Sequence, residues 1–300
     1  MVALIAGPTA SGKSALALAI AEKHNGVVIN ADSMQVYADL RVLTARPPVE
    51  EEKRVPHLLF GHVDGAEAYS AGRWAAEARA AIHEAHAAGR LPILVGGTGM
   101  YMRTLLDGIA PVPEIDPDIR TAVRALTVEQ ARAELVRLDP EAAARLGPID
   151  TLRISRALEV IRSTGKRLAE WQAERHGGIG HEIRVAATVL LPDRTWLGDR
   201  IDRRFRHMVN VAKGEVEALL ARTDIPNDAP VLRAIGVREI GLALAGESNL
   251  EEAHFAGSLA TRQYAKRQYT WFRRQPPPEW ERTNETQTNR LVGQFETKLL

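Results

Sequence analysis

Three hundred residues, 45% of them apolar and 26% charged, suffice for one large or two modest globular domains with a sizeable core. The 39 basic side chains nearly cancel the 38 acidic ones, so any attraction to nucleic acid must come from local patches and not from a global field. No cysteine is present, which excludes disulfides, thiolate chemistry and cysteine-based zinc sites and agrees with a cytoplasmic setting.

The first predicted element is a short apolar strand, Val2–Ala6. With a strand at residue 2 no signal peptide is expected, and no apolar run reaches the length of a membrane span, so no membrane association is expected either. The strand runs into Gly7-Pro8-Thr9-Ala10-Ser11-Gly12-Lys13-Ser14, and an Ala/Leu-rich helix follows from Ala15. Strand, glycine-rich loop and helix in that order make the G-x-x-x-x-G-K-[ST] run a phosphate-binding loop. Its glycines let backbone N–H groups turn toward an anion, and the helix presents its positive end to the same point. Lys13 adds a charge, and the Ser14 hydroxyl is the expected ligand for Mg²⁺. The motif points to a polyphosphate without saying which one.

A second strand, Gly26–Asn30, leads into Asn30-Ala31-Asp32-Ser33-Met34-Gln35-Val36-Tyr37. In a doubly wound sheet ligands collect at the carboxyl ends of strands, so Asp32 is expected beside the phosphate loop. There it can serve a metal-bound water or accept a proton, with an ordinary Asx turn as the plainer alternative. Ala71–Ala88 reads as a helix, and His83 and His86 on it as a surface pair with no third ligand. A third strand, Leu91–Val95, ends in Gly96-Gly97-Thr98-Gly99-Met100-Tyr101, where exposed backbone N–H groups and the Thr98 hydroxyl offer a second anion contact. This strand lacks the acidic residue expected of an ATPase.

Ile109–Glu114, with prolines at 111 and 113, reads as a boundary. From Pro117 to about Gln172 the pattern is helical, with breaks at Asp139-Pro140 and Gly147-Pro148. Residues 114–180 therefore read as an all-helical insertion into an α/β core formed by 1–113 and 181–300. The sheet resumes at Val185–Leu191, followed by helices over Trp196–Ala221, Val231–Ala245 and Leu250–Arg274. The polar tail beyond Pro276-Pro277-Pro278 is expected to be mobile up to a last short helix. Arg200 and Arg204 share a face of a basic helix and can send an arginine toward the phosphate site; a solvated face is the plainer reading. Thr261–Arg274 carries five basic residues, no acid and interleaved aromatics, a mix suited to RNA or to a basic helix with buried rings.

Together these runs resemble the bacterial tRNA dimethylallyltransferase (tRNA isopentenyltransferase) family nearly end to end. The resemblance rests on Gly7–Ser14, Asp32–Tyr37, Thr44–Pro47, Pro56-His57, Tyr69-Ser70, Gly96–Tyr101, Ser155–Glu159, Arg204-Phe205, Ile235-Gly236 and Thr261–Trp271. Three stretches depart from the family's usual pattern. Leu43-Thr44-Ala45-Arg46 stands for Gly-Thr-Ala-Lys, Leu58 for a second histidine, and Val237 for a tyrosine. The resemblance implies a P-loop kinase-like parallel sheet flanked by helices, with an insertion that grips the anticodon stem. It implies transfer of a dimethylallyl group from dimethylallyl diphosphate to N6 of the adenosine 3′-adjacent to the anticodon, in tRNAs reading codons that begin with U. On this reading Gly7, Pro8, Thr9, Ala10, Ser11, Gly12, Lys13 and Ser14 hold the donor diphosphate, with Mg²⁺ at Ser14. Asp32 is the general base, and Thr98 and Arg204 stabilise the leaving diphosphate. Asp32, Ser33, Met34, Gln35, Thr98, Arg120, Leu152, Arg153, Ile154, Ser155, Arg156, Arg233 and Arg238 contact the tRNA anticodon stem-loop. The protein is expected to act as a monomer in the cytoplasm. A small-metabolite or nucleotide kinase is the alternative reading of the same loop.

Overall fold

The computed structural model describes residues 1–299. Among them the chain divides into two compact units, Met1–Leu106 with the segment from Ile179 onward, and Asp107–Gly178. None of the described helices is long and apolar enough to cross a membrane.

The larger unit is built on a six-stranded, wholly parallel sheet in the order β3-β2-β4-β1-β5-β6. Its strands are β1 (Val2–Ala6), β2 (Gly26–Asn30), β3 (His57–Leu58), β4 (Leu91–Gly96), β5 (Val185–Leu190) and β6 (Glu281–Thr283). β1 and β2 are buried along their whole length and β4 and β5 from their second residue, as expected of central strands covered on both faces. On one face lie α1 (Lys13–Lys23) and the C-terminal helix, which share a core of Leu16, Ala17, Ile20, Leu291 and Phe295. The other face carries the larger core, with Trp74, Tyr101, Met102 and Phe272. Between β2 and β4 run α2 (Val49–Arg54) and α3 (Ala71–Ala87), and α4 (Gly99–Asp107) follows β4. The Trp74 indole on α3 donates to the Asn30 carbonyl at 2.7 Å and stacks on Tyr101, fixing the carboxyl end of β2.

The smaller unit contains α5 (Pro117–Arg124), α6 (Val128–Leu138), α7 (Pro140–Arg145), α8 (Thr151–Thr164) and α9 (Leu168–Ala173), around a core that includes Val123, Leu135, Ile154 and Leu158. It spans 107–178 and not 114–180, because Ile109 and His176 exchange backbone hydrogen bonds at 3.1 Å and close the unit upstream of the proline-rich run. Two breaks are additional to those expected. Thr127 caps α6 in a capping box, and Gly165 ends α8 in the left-handed conformation.

After β5 come α10 (Arg194–Val211), α11 (Lys213–Ala221), a 3₁₀ turn at Pro230–Arg233, α12 (Val237–Leu244), α13 (Leu250–Arg274) and α14 (Thr288–Glu296). The continuous helix expected over 196–221 breaks at Ala212, and the one over 231–245 divides at Gly236, whose φ of 106° only glycine adopts freely. The tail expected to be mobile instead adds β6 beside β5. It is held there by Leu191 N–H to the Thr283 carbonyl and by Lys298, which bonds Thr188 and Glu281. Strands as short as β3 and β6 carry no readable period, and only pairing defines them.

Candidate active site

Parallel strands place all their carboxyl ends on one edge, and the register Ala6↔Gly96 and Asn30↔Val95 sets the ends of β1, β2 and β4 level. Three loops therefore meet there: Gly7–Gly12 after β1, Ala31–Val36 after β2 and Gly97-Thr98 after β4.

The first loop has the turns that a phosphate-binding loop needs. Gly12 at φ 97° turns the chain into α1, and Ala10 is held at φ 64°, a strained conformation for a residue with a side chain. Lys13 donates to the Pro8 carbonyl at 3.1 Å. Burial lowers its ammonium to about 8; neighbouring Arg204 works the same way, and Asp32 opposes both. Such a lysine is short of negative charge and gains most from an anion. Ser14 stands exposed on the first turn of α1, whereas Ser11 is buried with its hydroxyl unpartnered.

Asp32 makes the Asx turn of the plainer alternative, its Oδ1 accepting the Met34 N–H at 3.0 Å, and the residue also lines the cavity described below. Buried Asn30 braces this turn, accepting from Asp32 N–H and donating to the Asp32 and Leu59 carbonyls. Thr98 Oγ1 accepts the Ser33 N–H at 3.0 Å, tying the second loop to the third. The glycines around Thr98 serve close packing and not open N–H display. A Cβ at Gly96 would stand 2.0 Å from the Ala31 carbonyl oxygen, and one at Gly99 would strike the Trp271 ring.

The opposite wall comes from helices distant in sequence. α10 and α13 meet the tip of the phosphate loop in a small apolar cluster of Ala10, Leu197, Ile201 and Ala265. On α10, Arg204 turns inward and donates to Thr9 Oγ1 at 2.5 Å. Burial, then neighbouring Arg200, lowers its guanidinium to about 10 against the opposing pull of Asp32. Its helical neighbours go elsewhere, Arg200 lying over the Trp196 ring. The plainer reading of this basic helix as a solvated face is thus overturned at Arg204. On α13, Tyr264 faces the Thr98 and Gln268 side chains; burial, and next Asp32, push its phenol above the usual range. Between the walls lies a cavity of about 290 Å³. Thr9, Asp32, Ser33, Arg204, Arg233, Tyr264 and Arg267 form its polar side, and Met34, Leu43, Phe205, Met208 and Ile235 its apolar side.

Other expected contacts sort themselves by burial. The Gln35 amide is occupied by the Thr44 and Ala45 carbonyls, so it shapes the cavity rim from behind. Arg46 packs over Gly61 and donates to the Tyr37 and Ala38 carbonyls. Arg238 is exposed on α12. In the helical unit Leu152 and Arg153 are exposed and Arg156 is half-exposed 3.8 Å from buried Glu159. Ser155 is half-buried, and Arg120 is half-buried with its Nε unpartnered. Ile154 is a correction: it is fully buried in that unit's own core, so its side chain holds the helix and presents nothing to a partner. Tyr264, Arg267 and Gln268 were not singled out from sequence, although they sit in the basic-aromatic run that was.

The Gly7–Ser14 loop and a carboxylate on one sheet edge mark a P-loop-type α/β protein with a cavity of about 290 Å³ beside the loop. The IPP transferase family model matches residues 35–275, and an isopentenyl transferase model matches residues 1–59. The chain is 60% identical to the tRNA dimethylallyltransferase of Sphingopyxis alaskensis over 99% of its own length and 98% of the relative's. It is 50% identical to that of Zymomonas mobilis over 100% and 96%. Among solved structures, a full-length tRNA isopentenylpyrophosphate transferase from Bacillus halodurans superposes with a TM-score of 0.69 at 32% identity, covering 99% of this chain and 97% of that one. A eukaryotic dimethylallyltransferase described as acting on tRNA gives 0.75 at 31% identity, covering 90% and 69%. The chain belongs to the IPP transferase family.

Proposed function

We propose that the protein transfers a dimethylallyl group from dimethylallyl diphosphate to N6 of the adenosine 3′-adjacent to the anticodon of tRNA. One observation carries this reading. A carboxylate, Asp32, and a half-buried arginine, Arg204, line the same small cavity beside the phosphate loop. Here the loop opens on a cavity with an apolar side and a basic side, suited to an everted base and a short hydrocarbon.

The diphosphate lies in the Gly7–Ser14 cradle, against Lys13 and Arg204. Ser14, exposed on the first turn of α1, would hold an Mg²⁺ ion, which would supply charge neutralisation for the diphosphate. The allylic C1–O bond loosens early because the developing cation is delocalised, so negative charge gathers on the leaving diphosphate, where Lys13, Arg204 and Thr98 meet it. The adenine N6 lone pair is delocalised into the ring and nucleophilic only weakly. As the N6–C1 bond forms, the N6 proton passes to the Asp32 carboxylate. The base reaches the cavity only by leaving the anticodon-loop stack, at a cost of a few kcal/mol. Ser33, Met34 and Arg233 meet it at the rim, while Arg120, Leu152, Arg153 and Arg156 of the helical unit and Arg238 engage the stem-loop backbone.

The test incubates the protein with an anticodon stem-loop RNA, labelled dimethylallyl diphosphate and Mg²⁺, beside a parallel reaction with labelled ATP. Label is expected in the RNA as N6-dimethylallyladenosine. Phosphoryl transfer from ATP with no prenylated RNA would end the reading.

A further inference from the structure

Gln268 is a buried polar residue inside α13, and both ends of its amide are engaged. Oε1 accepts the Thr9 N–H at 2.8 Å, and Nε2 donates to the Gly97 carbonyl at 2.8 Å. Thr9 supplies a donor and Gly97 an acceptor, so a single amide orientation satisfies both. The partners lie on different loops, the phosphate cradle after β1 and the Thr98 loop after β4. They are 259 and 171 residues away in sequence. The fit is close, since a Cβ at Gly97 would stand 2.2 Å from Nε2.

The consequences fall on the reacting groups. Thr9 is pinned twice from the helical wall, through its N–H by Gln268 and through its hydroxyl by Arg204. Gly97 immediately precedes Thr98, whose hydroxyl meets the Ser33 N–H at the cavity rim. Anchoring α13 does not require the amide. Ala265 and Phe272 already bury apolar surface there, and a methionine would fill the same length without desolvating a polar group. What an amide adds is a fixed separation between two loops that have no direct hydrogen bond of their own to each other among the described bonds. We infer that Gln268 is a positioning residue for the transfer reaction, holding the phosphate cradle and Thr98 at the spacing at which one leaving diphosphate meets both. The inference rests on the diphosphate reading of the cradle.

The test compares wild type, Gln268→Met and Gln268→Glu as full-length proteins, with Gln263→Met, on the exposed side of the same helix, as control. Three quantities are read: inorganic pyrophosphate affinity with Mg²⁺ by calorimetry, single-turnover transfer at saturating donor and stem-loop RNA, and KM for the RNA. Gln268→Met is expected to remain folded, to lose about ten- to a hundredfold in transfer rate, and to keep its RNA KM within about twofold. Gln263→Met is expected to match wild type. In Gln268→Glu an ionised carboxylate faces the Gly97 carbonyl without a proton to donate; the protonated acid restores the donor. Its rate relative to wild type should therefore rise as pH falls. A folded Gln268→Met at the wild-type rate overturns the inference. If that variant does not fold, the glutamate variant decides, and a pH-independent ratio overturns it. Wild type that fails to bind pyrophosphate overturns the diphosphate reading, and this inference with it.

Discussion

The two walls of the cavity are built in opposite ways. The strand-end wall is local: Gly7–Ser14 and Asp32 each follow directly from the strand before them, and their geometry comes from short-range rules such as a left-handed glycine, a helix start and an Asx turn. The helical wall is tertiary. Arg204, Tyr264 and Arg267 reach the cavity, and Gln268 the two loops beside it, only because α10 and α13 pack on each other and on Ala10. The contrast teaches that a charge such as Lys13 is placed by its neighbours in sequence, whereas one such as Arg204 is brought to the site by packing between distant segments. Burial holds both below their usual ranges, a cost that a bound anion offsets.

Removing the proton acceptor on the local wall gives the largest expected effect. Asp32→Ala should lower single-turnover transfer by about 10²- to 10⁴-fold while pyrophosphate affinity, measured by calorimetry, stays close to wild type. A near-normal rate would remove Asp32 from its role. On the tertiary wall, Arg204→Gln should cost about 10²- to 10³-fold in kcat/KM and, unlike Asp32→Ala, should weaken pyrophosphate as well. Equal behaviour of the two variants would erase the distinction between the walls.

A packing change in the wall behind the cavity sharpens it further. The Phe205 ring lies where a Cβ on Gly257 would stand, 2.1 Å away, so Gly257→Ala must displace that cavity-lining ring or part α10 from α13. We expect about 1–3 kcal/mol of lost stability by thermal or denaturant unfolding, and a transfer rate reduced about tenfold in the protein that remains folded. The corresponding change at an open glycine of the helical unit, Gly147→Ala, meets nothing within 4 Å and should leave both quantities near wild type.

The smallest effect concerns protons. The Lys13 ammonium is lowered from 10.5 to about 8 by burial, so the unfolded chain binds more protons between those values and the unliganded fold gains stability as pH rises through that window. A diphosphate favours the charged amine, so binding above about pH 8 takes up a proton and affinity falls with further rise in pH. Calorimetry at about pH 8.5 in two buffers of different ionisation enthalpy should report net uptake; zero uptake would place Lys13 away from the anion.

The sheet was legible where strands were long and wholly apolar. β1, β2, β4 and β5 stood out, while β3 and β6, of two and three residues, did not. In the site, Asp32 and the cradle were readable by adjacency. Thr98 stands out by its place after β4, but its glycines serve close packing, because a sequence shows that a side chain is missing and not what fills the space. Gln268 was hidden in a basic-aromatic run whose charges draw the eye to RNA, and Ile154 was assigned outward although helical phase turns it into its own core.

Taken alone, the chain's order of residues determined the phosphate loop, the carboxylate one strand away and the helical insertion, since each follows from neighbours a few positions apart. Only the folded packing decided which of many arginines enters the site and which amide spans two loops. Those choices depend on contacts between segments more than 150 residues apart, where burial of a charge or an amide is settled by everything around it.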